Sequence, residues 1–335
     1  MRYYRRSIIM TKCPLKEAFR YRDIFIVQPI VRRGVPHSPY AKHYPAFLDY
    51  WHDADEGKNE MELISLDVNK AREICAILTA LSNFEFFTYD SSLMAWGVAA
   101  PDVRFDDMTE EDARSFNMRA RRSIWMPVAG YLYEEFSIDR IISELSVLEE
   151  NHIMLLDEND SYFTDNPIEE YKEKILFHKN LTEVLDSFYA LRDSDRQNVF
   201  SAIVLISNAI KLGLSHQSIG FVSFISSIET MVGLENKGVK TRHCRECNQP
   251  IYSVRKKFID YLLKYVSSTQ KSKKKFDELY NLRSKIAHTG KLFLSDIEFS
   301  LMNIEQNNKE WFKYVEVRQL ARLSLYRWLL MNKSI

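Results

Sequence analysis

A chain of 335 residues with 46% apolar and 27% charged side chains has a globular rather than disordered composition, and its length suggests two domains. No apolar run approaches the ~20 residues of a membrane span. The basic start Met1–Arg6 precedes too short an apolar stretch, Ser7–Met10, for a secretory signal, and four cysteines make no disulfide framework. A cytoplasmic, reduced protein without membrane contact is expected.

From the N-terminus, residues 1–165 read as a mixed α+β domain of unknown role, a candidate sensor or regulator. Ile24–Val31 and Phe84–Tyr89 are rich in β-branched and aromatic residues and predict strands. Between them Val68–Leu81 predicts a helix, with Asp67 as a candidate cap. Ser92–Ala100 can pair back on Phe84–Tyr89 through Tyr89-Asp90-Ser91, and Ser123–Phe136 predicts a further strand broken by Pro127 and Gly130. Helices are expected at Glu110–Arg121 and Ile138–Glu150. This half holds no Gly-rich phosphate loop, nucleophile elbow or His-Glu-x-x-His. His37, His43 and His52 match no metal template and read as surface residues.

The acidic, turn-rich stretch Asp157–Pro167 marks the expected boundary, and from 167 to 335 the period becomes 3.6. Ile168–Leu191 predicts a long helix. Ser194 and Gln197 form a capping-box pattern ahead of Val199, Ile203, Ile206 and Ile210, with Gly213 as the stop. Ser215 can cap a third helix with Val222, Ile225, Ile228 and Val232 on its buried side and Gly233 at its end. Beyond the polar loop Glu235–Pro250, helices are predicted at Ser253–Val266 (stripe Phe258, Leu262, Tyr265), at Ser272–His288 with Ser272 as a possible cap, and at Glu310–Met331. Short connections between long amphipathic helices imply an up-and-down bundle. The chain as a whole is thus expected to be mainly α, with an α+β N-terminal domain.

The zero net charge hides an asymmetry. Lys237–Lys291 holds 15 Lys or Arg against four acids, a local excess of +11, so the remainder carries −11. A basic window of this kind suits a polyanion. Inside it lies Phe276-Asp277-Glu278-Leu279-Tyr280-Asn281-Leu282-Arg283-Ser284-Lys285-Ile286-Ala287-His288-Thr289-Gly290. Phe276, Tyr280, Arg283 and Ala287 fall on one helix face, so Arg283 points inward or towards a partner, where its donors need an anion. His288 stands in the last turn, facing the negative end of the helix dipole, and histidine is the side chain suited to acid–base work near neutrality. The two are five residues and ~140° apart on a 3.6-residue turn. They are expected to converge if the helix unwinds at His288 or if two copies face each other.

The stretch Leu279–Gly290 resembles the motif region of HEPN domains, in particular the ApeA-like HEPN proteins, whose signature is an arginine, a polar residue, a few further positions and a histidine. The helix containing Ser227-Ile228-Glu229-Thr230-Met231 and the Cys-x-x-Cys loop fall in the same order, and the resemblance covers roughly residues 195–333. It implies a HEPN-like bundle with metal-independent endoribonuclease activity in a homodimeric cleft, and a place in toxin or antiphage defence. Arg283 and His288 would be catalytic, with Ser284, Tyr280 and Glu229 supporting them. Ser284 stands where Asn or Asp is frequent. Lys271, Lys273, Lys274, Lys275 and Lys285 would grip RNA phosphates. The alternative is a non-catalytic HEPN-like module that binds nucleic acid or protein. No cofactor is expected for catalysis. His243, Cys244 and Cys247 offer three ligands of a structural zinc, for which a fourth would have to come from elsewhere.

Overall fold

The computed structural model describes residues 2–29, 44–53, 57–88, 141–142, 156–157, 162–163, 172–213, 215–239, 242–243, 250–251, 253–298 and 303–332. They form two compact units. One comprises residues 1–78, 84–157 and 168–177, the other residues 79–83, 158–167 and 178–335.

The first unit is an antiparallel sheet with a helix. Strands β1 (Arg2–Thr11), β2 (Phe19–Tyr21), β3 (Phe25–Pro29) and β4 (Tyr44–Asp53) are followed by helix α1 (Glu60–Leu81), β5 (Phe86–Phe87) and β6 (Ile141–Ile142). The sheet order is β2-β3-β4-β1-β5, with β6 also on β1. The basic N-terminal segment is therefore an interior strand. Two of its arginines are neutralised: Arg6 grips the buried Asp49 through two hydrogen bonds of 2.6 and 2.8 Å, and Arg5 lies 3.5 Å from Asp67. Helix α1 starts a full two turns before Val68, because Asn59 and Glu62 form a reciprocal capping box. Asp67 sits inside the helix rather than capping it. Ile141 and Ile142 pair with Arg5 and Tyr4 as a strand, where the sequence predicted helix. The elements expected at 92–100, 110–121 and 123–136 lie outside the described residues, as do His37 and His43. His52 is part of β4.

Short strands β7 (Leu156–Asp157) and β8 (Phe177–His178) pair with each other. The helix expected over 168–191 is thus shorter, α2 (Leu181–Ala190).

The second unit is a helical bundle of α2, α3 (Asp193–Leu212), α4 (Gln217–Glu235), α5 (Val254–Tyr265), α6 (Gln270–Thr289) and α7 (Ile304–Met331). Helices α3 and α4 form an antiparallel hairpin, with Gly220 against Ala209 near the turn and Lys237 reaching Asp195 (2.6 Å) at the far end. Tyr314 of α7 wedges into this turn. Its hydroxyl donates to the Ala209 carbonyl at 2.8 Å, and its ring occupies the space that a Cβ on Gly213 would need. Gly213 thus serves close packing; its φ of −64° is ordinary helix. Helix α6 runs antiparallel to α4, since Arg283 meets Glu229 while the Phe293 N–H donates to Ser218 Oγ. Helix α4 is buried nearly all round, from Phe221 and Phe224 to Ile225, Ile228 and Met231, and runs on past Gly233.

The expected caps are reassigned. Neither Ser194 nor Ser215 caps a helix. The N-terminus of α4 is capped from a distance by Asp296, in a 3₁₀ turn (Leu294–Asp296), whose carboxylate accepts from Gln217 N and Ser218 N at 2.7 Å each. Thr269, not Ser272, caps α6, accepting from Ser272 N at 3.1 Å. Gly290 ends α6 as expected, in the left-handed conformation (φ 65°) that glycine adopts without steric cost.

Glu235 ties the C-terminal end of α4 to α5 and α7, accepting from Lys264 Nζ, Tyr265 Oη and Trp328 Nε1. Burial pushes this carboxyl up, but the three donors outweigh it and hold it below the usual range. A depressed carboxyl stabilises the fold above its unfolded value of about 4.3 and loses that contribution as pH falls through the folded value. Glu235→Gln is expected to lower unfolding free energy by about 1–2 kcal/mol at pH 7. The gap from wild type should close as urea denaturation is repeated below pH 4.

Candidate active site

Arg283 and His288 lie on the C-terminal half of α6. The buried positions of this helix are Phe276, Leu279 and Ile286, and Arg283 falls between the last two on the same stripe, at i+4 and i−3. Ala287, which the sequence placed on that stripe, is exposed. The Arg283 side chain is accordingly four-fifths buried, against Glu229 on the central helix α4.

The guanidinium is held from two sides. Its Nη2 donates to Glu229 Oε2 at 2.9 Å, and its carbon lies 6.0 Å from the centre of the Tyr280 ring. Burial, then the adjacent Glu229 carboxylate, raise the Tyr280 phenol. The third contact is with His288: Arg283 Nη1 lies 3.5 Å from His288 Nε2. Arginine has only donors, so the histidine nitrogen is the acceptor in this long, weak hydrogen bond. Arg283 Nε is buried and finds no acceptor among the described residues.

The expected route to convergence is thereby corrected. Helix α6 neither unwinds at His288 nor requires a second copy to bring the pair together, because it stays regular to Thr289. Arg283 spans the ~140° between the two positions by the length of its own side chain, curling around the helix with Glu229 and Tyr280 as supports. His288 itself is exposed. One end of the pair is buried and fixed, and the other is open to solvent.

Ser284 is half-buried one turn before His288, and Lys285 is exposed. Lys271, Lys273 and Lys274 are exposed on the first turns of α6, and Lys275 forms an ion pair with Glu316 of α7. Axially, Lys273 stands about 22 Å from His288 at 1.5 Å per residue. Lys271, Lys273 and Lys274 therefore stand well along the helix from the pair, and Lys285 is three residues before His288. One pairing was not legible in the chain. Arg255 of α5 grips Asp277 of α6 through two hydrogen bonds of 2.6 and 2.5 Å, which hold the Asp277 carboxyl below the usual range. Asn281, one turn on, donates to the same carboxylate at 3.5 Å. The Asp277/Asn281 spacing is visible in sequence, but its partner 22 residues away is fixed only by the packing of α5 on α6.

Cys244 and Cys247 lie outside the described residues. His243 belongs to strand β9 (Arg242–His243), which pairs with β10 (Pro250–Ile251), so an antiparallel ribbon closes the loop that carries both cysteines. Among the described residues no group of three His, Cys, Asp or Glu side chains is arranged to hold a metal. Comparison of the chain with protein-family models, with curated proteins and with solved structures gives no match.

Removing Glu229 leaves a mostly buried cation without its anion. Glu229→Ala is expected to cost about 1–3 kcal/mol of unfolding free energy, and Glu229→Gln about half of that. In ¹H–¹⁵N spectra the Arg283 Nε–Hε cross-peak should be sharp in wild type and broadened in Glu229→Ala. An unchanged peak would mean that Glu229 does not hold the guanidinium.

Proposed function

We propose that the second unit is a HEPN-like domain acting as a metal-independent endoribonuclease, with Arg283 and His288 as its catalytic residues. The observation that carries this reading is the meeting of Arg283 Nη1 and His288 Nε2 at 3.5 Å, with the guanidinium anchored on Glu229 and the imidazole exposed. A fixed cation beside an unprotonated ring nitrogen is what phosphodiester cleavage by an internal nucleophile requires. His288 Nε2 takes the proton of the ribose 2′-hydroxyl, the 2′-oxygen–phosphorus bond forms, and the 5′-oxygen–phosphorus bond breaks. Arg283 Nη1 turns from the imidazole to a phosphate oxygen and offsets the charge that develops on it. The leaving 5′-oxygen takes a proton from an imidazolium, either the same one or that of a second copy in a homodimer. The products are a 2′,3′-cyclic phosphate and a 5′-hydroxyl, and DNA, lacking the nucleophile, is not cut. The first unit would then act as the sensor or restraint of a toxin or antiphage system.

The second reading, a non-catalytic HEPN-like binding module, is favoured by one observation: the Arg283–Glu229 ion pair also satisfies a purely structural arginine. The two readings separate on one experiment. Purified protein incubated with end-labelled RNA in excess EDTA should cleave it to cyclic-phosphate ends, and Arg283→Ala or His288→Ala should lower the rate at least about 100-fold. Cleavage that requires added metal, or that survives His288→Ala, contradicts the nuclease reading. In cells, growth arrest on overexpression should vanish with either substitution if the protein is a nuclease, and persist if it only binds.

A further inference from the structure

Seven polar residues of α6 share one side of the helix. At about 100° per residue, Asp277, Asn281 and Ser284 fall within about 40° of His288, and Lys273, Lys274 and Lys285 within about 60°. Lys271 and Lys275 are turned about 100° and 140° away, and Lys275 is engaged by Glu316 of α7. The stripe runs about 22 Å from Lys273 to His288. Its outer residues Lys273, Lys274, Lys285 and His288 are exposed. Of the two acids on this side of the helix, Glu278 is exposed at the edge of the stripe, about 80° from His288, and Asp277, within it, is clamped bidentately by Arg255 of the neighbouring helix.

We propose that a single strand of RNA lies along this stripe of α6, its phosphates on Lys273, Lys274 and Lys285 and its scissile bond at His288, with Arg255 screening Asp277 beneath it. This rests on the nuclease reading for the scissile bond, but the track itself is a matter of charge and geometry. Cations at the two ends of one side of a convex helix, about 16 Å apart from Lys274 to Lys285, can follow one backbone. A duplex presents two, and holds its 2′-hydroxyls too rigidly for attack along the line of the leaving oxygen. About 22 Å accommodates about four nucleotides, at the small end of single-strand site sizes. The Arg255–Asp277 pair explains how a carboxylate can sit midway along such a path: left unclamped, it would repel the strand from below.

The test uses the full-length protein and a fluorescent oligouridylate of twelve nucleotides carrying 2′-O-methyl groups, which can bind but not be cut. Anisotropy titrations are run from 50 to 200 mM salt. Lys273→Ala, Lys274→Ala and Lys285→Ala should each weaken binding about 3–10-fold and lower the slope of log affinity against log salt by about 0.7. Lys211→Ala, at an exposed position on α3, should change neither. Arg255→Ala should weaken binding more than any single lysine change, and the double variant Arg255→Ala/Asp277→Ala should recover most of that loss. Equal effects at Lys211 and Lys273 would overturn the track, as would no binding by wild type or no recovery in the double variant. Circular dichroism on each variant separates unfolding from lost contact. If wild type binds with this pattern but never cuts RNA, the nuclease reading fails and the track stands. If it cuts RNA but binds without the pattern, the track alone fails.

Discussion

The ion pair between Arg283 and Glu229 is the constraint on which the site depends. A guanidinium on the buried stripe of α6 is tolerable only if an anion meets it, and Glu229 is that anion, supplied by the helix at the centre of the bundle. The pair fixes one end of the arginine and leaves the other to lean on His288. Without Glu229 the cation would swing to water, and the contact with His288 Nε2 would be lost with it. A single polar contact between two helices thus sets both the packing of the arginine and its approach to His288.

Its geometry is inherited from the packing around α4. Glu229 faces Arg283 because α4 and α6 run antiparallel in a fixed register, which Ser218 secures by accepting the Phe293 N–H. Asp296 caps the start of α4 from the segment that follows α6, so the loop leaving the site also fixes the helix that supplies the carboxylate. Gly220 lets the α3 backbone and Tyr314 approach α4 closely, and Gly213 leaves room for the Tyr314 ring at the end of α3; a Cβ at either position would force these contacts apart.

Much of this was legible in the chain, for identifiable reasons. The 3.6-residue period of Val199, Ile203, Ile206 and Ile210 reports burial directly, and all four are buried. Gly290 was readable as the stop of α6 because only its left-handed conformation was at issue. The caps were not readable: Ser194 and Ser215 are good cap residues by type, yet the acceptor for α4 is Asp296, about 80 positions away in sequence. Strand β1 escaped notice because its arginines look like a solvated terminus until Asp49 and Asp67 are placed beside them. In the site, the inward position of Arg283 was visible from its neighbours. The reach of its side chain round to His288 was not, because a wheel records Cβ directions and ignores the long flexible arm beyond Cβ.

The residues of the site divide into a buried, electrically balanced half and an exposed, basic half, and His288 stands at their junction. The proposed cleavage requires that histidine and Arg283 to engage one phosphate together. The most direct measurement is a long-range ¹H–¹⁵N spectrum of the histidine rings, recorded while a dinucleotide lacking its reactive 2′-hydroxyl is added. The account predicts that the His288 Nε2 resonance moves progressively to saturation, and that it does not move in the Arg283→Ala variant. A His288 signal that stays fixed while the nucleotide binds elsewhere would contradict it.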